Sequence, residues 1–508
     1  MQETTRPDKS AIGSDGAALT NQTSPIPAEA GNEEFKEGGY GCVPVWPEMR
    51  RRVADLYTVP RRCRVIVLTV GILNMHTWGL NSTYSVFLAY YLNSKDPNFS
   101  NASPIVYAFI GGLSISIALL LSPLATALVG WKPMGTNKTI FVGAILETAS
   151  YIGASFTTKI WHLVLSQGVA FGAGMGLIFT TAIPVTAQWF NERRSLANAL
   201  AASGSGFGGL TYSLAANAMI GKIGLPWTFR VLAIVCFVVN SLGALIIRDR
   251  NKAVGSVHVA LNFKLLKRPS FLLFQGWLVF SIIPYIALVF SIVDYSRRMG
   301  LTASQASLVG AMFNLAQGIG RPLVGLSSDI FGRINACTFA TGLCGLYCLF
   351  VWIFAAKSLA ACIVFALLSG MVAGTLWAVV APVCAEVVGL QLIPSALSIS
   401  WLVLVLPSTF AEVIALGLRK PGPDGYVDVQ VFIGVMFMGA CMFSWLLRGW
   451  KVQELHKSNL SKEEREDAAL NDDIVQANIS DSTDSTDRGS ATPSRIGFFR
   501  ALIACEKV

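Results

Sequence analysis

An arginine stands inside a long apolar run at Arg321, followed directly by Pro322, and the run ends through Gly325-Leu326-Ser327-Ser328-Asp329-Ile330-Phe331-Gly332-Arg333. A guanidinium at membrane depth is costly unless it faces a wet cavity or an opposite charge, so Arg321 is a candidate to receive an anionic group. Its forked donors suit that task better than a lysine ammonium. Gln317 and Asn314 precede it by four and seven residues, share its helix face, and offer amides to a larger polar ligand. The residues that follow read as a tight loop between two helices and as a gate. Gly325 permits close helix approach, Asp329 can accept hydrogen bonds from a neighbouring helix N-terminus, Gly332 makes the turn, and Arg333 is the basic residue beyond it.

Few other polar groups interrupt the apolar runs. His76, Asn81 and Tyr84 fall in the first run, with Asn81 and Tyr84 three apart on one helix face, where they can serve a cavity or bond neighbouring helices. His76 has the residue type that titrates near neutral pH, although a neutral imidazole bonded to a backbone carbonyl is the commoner state of a buried histidine. Glu147 and Glu412 lie deep in their runs and are the candidates for a proton-coupling carboxylate, whereas Arg230, Asp294 and Glu386 lie near run ends.

The elements that must hold these residues follow from composition. The chain has 508 residues, 53% hydrophobic and 14% charged, with a mean hydropathy of +0.55, which places it among polytopic membrane proteins. Apolar runs of about 20 to 25 residues, each long enough to cross a bilayer as a helix, occupy 65–92, 105–129, 138–157, 162–188, 195–220, 227–247, 270–294, 304–327, 334–356, 359–388, 393–417 and 430–450. The expected organisation is an N-terminal tail (1–64), six helices (65–248), a central loop (249–269), six more helices (270–450) and a C-terminal tail (451–508). Residues from Lys457 to Asp487 are expected to lack structure. Arg61, Arg62, Arg64, Arg193, Arg194, Arg248, Arg250, Lys252, Lys264, Lys267 and Arg268 cluster on one side, which the positive-inside bias assigns to the cytoplasm. That bias accounts for the net charge of +9 without a nucleic-acid partner. Sequons at Asn98 and Asn101 then fall on the opposite side and are expected to be glycosylated. The ten cysteines show no ligand spacing, so neither a metal nor a cofactor is expected.

The two halves repeat one another. Pro184-Val185-Thr186-Ala187-Gln188 and Pro382-Val383-Cys384-Ala385-Glu386 occupy corresponding places, as do Ser122-Pro123-Leu124 and Arg321-Pro322-Leu323. The Gly325–Arg333 loop resembles the signature between helices of major facilitator superfamily transporters. Gln188-Trp189-Phe190-Asn191-Glu192-Arg193-Arg194-Ser195-Leu196-Ala197 with Gly204-Ser205-Gly206-Phe207-Gly208-Gly209 resembles the monocarboxylate transporters within it. Glu37-Gly38-Gly39-Tyr40-Gly41 is similar to the segment before their first helix, and His76 to Phe87 resembles their fungal branch. Residues 42–62 depart from that spacing and read as an insertion, either a retained intron or a basic loop on anionic lipid. The animal members place an aspartate one turn before the arginine and a lysine in helix one. Here Gln317 and Asn81-Ser82 stand there, so only the arginine carries over.

The resemblance implies an all-α membrane protein with twelve transmembrane helices in two pseudo-symmetric six-helix bundles. It further implies secondary active transport of a small organic anion, a monocarboxylate first, by alternating access, with protons the candidate symported ion although the family's coupling aspartate is not present, in the plasma membrane before the vacuolar one. The alternatives are riboflavin or a secondary metabolite as cargo, or a non-transporting nutrient sensor. No nucleophile, base and oxyanion set points to an enzyme.

Overall fold

The computed structural model describes residues 61–93, 104–190, 193–355, 358–420, 425–480 and Leu502. Regular structure among them is helical throughout. Helix α1 runs in three pieces, Arg61–His76, Trp78–Ser82 and Tyr84–Asn93, and α2 in two, Pro104–Leu120 and Ser122–Gly130. Helix α3 is Gly135–Ala154, and α4 joins Ile160–Leu163, a π-helical Val164–Ala170 and Phe171–Trp189. Arg194–Ile246 follows as one hydrogen-bonded run, but Gly224, at φ 78° and ψ 166°, divides it into α5 (194–223) and α6 (225–246). The second half contains α7 (Pro269–Arg298), α8 (Ala303–Phe331) and α9 (Arg333–Leu346, Tyr347–Trp352 and Ile353–Ala355). It closes with α10 (Leu359–Ala373 and Thr375–Val388), α11 (Ile393–Val403 and Val405–Leu418) and α12 (Val427–Ser480).

Each of the twelve expected spans falls on one of these helices. Among the described residues nine helices are long and apolar enough to cross a membrane, and Arg194–Ile246, counted once, supplies two spans. Gly135–Ala154 and Ala303–Phe331 fall short on apolarity, and these are the helices that bury Glu147 and Arg321. Glu147 and Arg321 thus sit on the two helices that fall below the apolarity of a membrane span.

The breaks have local causes. In α1, Thr77 Oγ1 donates to Leu73 O at 2.8 Å and Thr83 Oγ1 to Gly79 O at 3.2 Å, the back-bonding that bends helices. Pro123 and Pro407 follow the interruptions of α2 and α11, where a missing N–H removes a rung of the ladder. Helix α8 starts on a capping box, with Gln305 N donating to Thr302 Oγ1 and Thr302 N to Gln305 Oε1 at 2.9 Å.

Two expectations are corrected. Residues 457–480, expected to be unstructured, continue α12 as helix. That extension needs no nucleation, is rich in good helix formers, and begins with a Lys451–Glu454 ion pair at 2.7 Å. Helix α1 begins at Arg61, inside the suspected insertion. The remainder of that insertion, the Glu37–Gly41 segment and the sequons at Asn98 and Asn101 lie outside the described residues.

The glycines of α5 set the packing. A Cβ on Gly204 would fall on the carbonyl oxygen of Gly71 in α1, and one on Gly208 would come within 2.5 Å of Met75 O and 3.0 Å of Gly79 Cα. On another face, a Cβ on Gly206 would lie 2.6 Å from Gly318 N of α8. Helix α5 is therefore wedged between α1 of its own half and α8 of the other, held by backbone contact. Gly204→Ala is expected to cost about 1–3 kcal/mol by overpacking. It should lower the apparent melting temperature of the purified protein, whereas Gly417→Ala, where a Cβ meets nothing within 4 Å, should not.

Candidate functional site

Arg321 is 4% exposed and lies where α8 faces α5 and α7. Its Nη1 donates to Ala202 O at 2.7 Å and to Ser205 Oγ, and its Nη2 donates to Gln317 Oε1 at 2.7 Å and to Tyr285 OH at 3.3 Å. Tyr285 OH in turn donates to Gln317 Oε1 at 2.9 Å, which fixes the amide as acceptor. These partners are all neutral, and among the described residues no carboxylate pairs with Arg321. Its Nε is buried without a partner. Gly374, at the break in α10, makes room for the side chain, because a Cβ there would stand 2.7 Å from Arg321 Nε. The charge is held by dipoles and left electrostatically incomplete.

The guanidinium borders a cavity of about 30 Å³ between the halves, walled by Asn74, Trp78 and Ser82 of α1, Phe179 of α4, Asn198 and Ser205 of α5, Tyr285 of α7 and Trp377 of α10. That space is too small for an organic anion, so entry requires the helices to part. Aromatic rings from both halves fill the surrounding layer. Trp78 lies 4.7 Å from Trp377 and 5.0 Å from Phe179, and Trp377 stacks on Trp401 at 5.8 Å. The Trp78 Nε1 donor is buried without a partner.

The Gly325–Arg333 loop forms the cap and the turn that its residue types suggest. Asp329 accepts from Ser195 N at 3.1 Å and Leu196 N at 2.8 Å, so a carboxylate of α8 caps the positive end of α5 across the seam. A Cβ on Gly325 would lie 2.7 Å from Ser195 O, and Gly332, at φ 101°, turns the chain into α9. Arg333 then reaches Glu386 of α10 at 3.2 Å and stands 3.9 Å from Asp329. Asn198 Nδ2 adds bonds to Trp377 O at 3.2 Å and Ala378 O at 2.7 Å. These contacts join the two halves at the end that carries the basic loops. Nearer the other end, Ser116 and Thr409 meet at 2.5 Å between α2 and α11.

The remaining candidates disperse. Of the six residues expected at the substrate, Arg321 alone walls the cavity and Gln317 is bonded to it. Asn81 accepts from Ser114 at 2.8 Å, and Tyr84 donates to Tyr107 O at 2.7 Å, so both tie α1 to α2. His76 bonds Ile72 O at 2.8 Å and sits edge-on to Tyr212, and Asn314 packs beside Gly209 of α5. Glu147 is 0% exposed and accepts from Asn240 at 2.7 Å within the first half. Glu412 is half-buried, with no hydrogen bond or ion pair among the described residues, and lies near Tyr84. Tyr285, Asn198 and the aromatic layer were not anticipated. One signal for that layer was present in the repeat, because Phe179 and Trp377 each stand five residues before the matching prolines Pro184 and Pro382, and their rings meet at 5.9 Å.

The profile of the Major Facilitator Superfamily matches residues 27–411. The chain belongs to that superfamily. It is 30% identical over 392 residues to "Probable transporter MCH2" of Saccharomyces cerevisiae, covering 76% of this chain and 82% of that protein. It is 26% identical to the "Fujikurins efflux protein" of Gibberella fujikuroi, covering 69% and 74%. The crystal structure of the human organic anion transporter MFSD10 superposes with a TM-score of 0.59 at 12% identity, covering 76% of this chain and all of that one, which shows the shared fold. As a major facilitator transporter, the protein is a multi-pass membrane protein that acts on a small molecule.

If Asp329 caps α5, removing it should loosen the basic end. Asp329→Ala forfeits two charge-assisted bonds, each about 1.5–3 kcal/mol. Thiol labelling of a cysteine introduced at Ala378, which is 0% exposed, should rise at least several-fold in that background, and unchanged labelling would remove Asp329 from the gate.

Proposed function

We propose that this protein is a secondary active carrier of a small organic anion, with a monocarboxylate the favoured cargo, and that Arg321 receives the anionic group. The observation that carries the reading is a buried guanidinium with neutral partners alone, bordering a cavity between two related six-helix halves. An incoming carboxylate would supply the missing opposite charge, and releasing it would restore the dipolar holding set. With the basic end in the cytoplasm, the Asp329 and Arg333 contacts close the inward path and the halves rock to open it.

A second reading takes the same site for a larger, planar cargo such as riboflavin or a secondary metabolite. The Trp78, Phe179 and Trp377 walls favour it, since parted rings would offer stacking faces. The relative from Gibberella fujikuroi, named for efflux of fujikurins, agrees with that class. Uptake of labelled lactate, aromatic carboxylates and riboflavin into vesicles, with and without a pH gradient, separates the two readings, and accumulation of none of them would favour a sensor.

For proton coupling we favour Glu412 over Glu147, because Glu412 lacks a fixed partner while Glu147 is sealed against Asn240. Glu412→Gln should abolish the stimulation of uptake by a pH gradient and leave counterflow exchange intact. A gradient response equal to wild type would shift the assignment away from Glu412.

Arg321→Ala should reduce transport to background at an unchanged amount of reconstituted protein. Arg321→Lys should recover only part, since one ammonium cannot replace the fork. Full transport by the alanine variant would take Arg321 out of the site.

A further inference from the structure

The segment between α6 and α7 is a bonded strap. At its start, Gln188 at the end of α4 donates to Asn251 Oδ1 at 2.7 Å and accepts from Arg250 N at 2.9 Å. Further along, Val257 N donates to Gln391 O at 2.9 Å, and Ser395 Oγ donates to Val257 O at 2.8 Å while accepting from Val259 N at 3.1 Å. Ser398 Oγ donates to Ala260 O at 2.7 Å, and Ser122 Oγ of α2 donates to Ser398 O at 2.9 Å. The strap therefore bonds the end of α4 in the first half and the start of α11 in the second, where Ser398 is also bonded to α2.

His258 lies in the middle of this strap and enters a recess of about 20 Å³ walled by Thr126 of α2, Thr136 of α3, Thr181, Pro184 and Gln188 of α4 and Pro394 of α11. Both ring nitrogens are buried without a hydrogen-bond partner, as is the Thr181 hydroxyl. The end of α2 is shaped for the strap, because a Cβ on Gly130 would come within 2.8 Å of His258 Cβ. Among the described residues that wall the recess, none from α2, α3, α4 or α11 carries a charged or titratable side chain. Asp249, near the start of the strap, is the charge that acts on the ring, and Arg250 is turned onto Trp189 at 5.4 Å. Burial lowers the imidazole below its ordinary value, against the smaller opposing pull of Asp249.

We propose that His258 is a pH-operated release for the seam between the halves: neutral, it seats the strap and holds the basic end closed; protonated, it leaves the recess and frees the strap. An imidazolium in the recess would have no carboxylate in contact and little water, whereas outside it would be hydrated. The seated conformation binds fewer protons than the released one. Closure is therefore favoured above the ordinary histidine value of about 6.5 and weakens as pH falls below it. With the basic end in the cytoplasm, the device would open the inward path when that compartment acidifies. It stands on strap geometry and is independent of the cargo and of Arg321.

Amide hydrogen exchange over residues 255–262 of the purified full-length protein, corrected for the intrinsic pH dependence of exchange, tests it. Between about pH 7.5 and pH 5.5 the wild-type strap should lose protection by up to about tenfold, the limit set by one unit below the ordinary value. His258→Leu, which keeps the recess filled, should hold the strap protected at both pH values, and His258→Lys should leave it fast-exchanging at both. A wild-type pH step in the leucine variant, or wild-type protection at the higher pH in the lysine variant, would overturn the proposal.

Discussion

A charge buried in a bilayer has to be held, and the cheapest holders are dipoles already in the fold. Arg321 is held by the carbonyl of Ala202, the hydroxyls of Ser205 and Tyr285 and the amide of Gln317, drawn from α5, α7 and its own helix. Much of the surrounding architecture makes that set reachable. The α5 glycines bring its backbone against α8, and Gly374 opens a break in α10 where the side chain needs space. Because these holders are neutral, the guanidinium charge has no opposite charge paired with it among the described residues.

The halves are related by sequence, yet their functional work is unequal. Where the first half has Ser122-Pro123 the second has Arg321-Pro322, and where the first ends α4 on Gln188 the second has Glu386 in α10. Gln188 bonds the strap, while Glu386 pairs with Arg333. Phe179 and Trp377 keep the symmetry as rings in contact at the seam. A common scaffold thus supplies the aromatic layer from both sides, and the charges that distinguish the halves lie on one side of it.

The contacts at the basic end are made by groups that water can replace. The cap of Asp329 on α5, the amide of Asn198 on the α10 carbonyls and the serines along the strap are hydrogen bonds at the margin of the membrane, each replaceable by solvent when the halves part. A seam of this kind opens at modest cost, whereas the glycine contacts between α1 and α5 lie within one half and do not have to break.

Twelve spans, the recurrence between the two halves, the exceptional arginine and the capping role of Asp329 were legible in the sequence alone, because hydropathy, recurrence and the expense of a membrane charge are properties of residue order. The helical continuation of α12 to Ser480 was not legible, since polar composition is shared by solvated helix and unstructured chain. Nor could the sequence rank the polar residues of α1. Asn81, Tyr84 and His76 have site-like chemistry but bond their neighbours, while Trp78, between them, reaches the cavity. Which helix face turns to the seam is fixed by where α5 and α8 meet, and that depends on backbone contacts between residues more than a hundred positions apart. Only the tertiary structure could therefore decide that Arg321 has neutral partners, that Tyr285 and Trp377 stand beside it, and that His258 is seated between the halves.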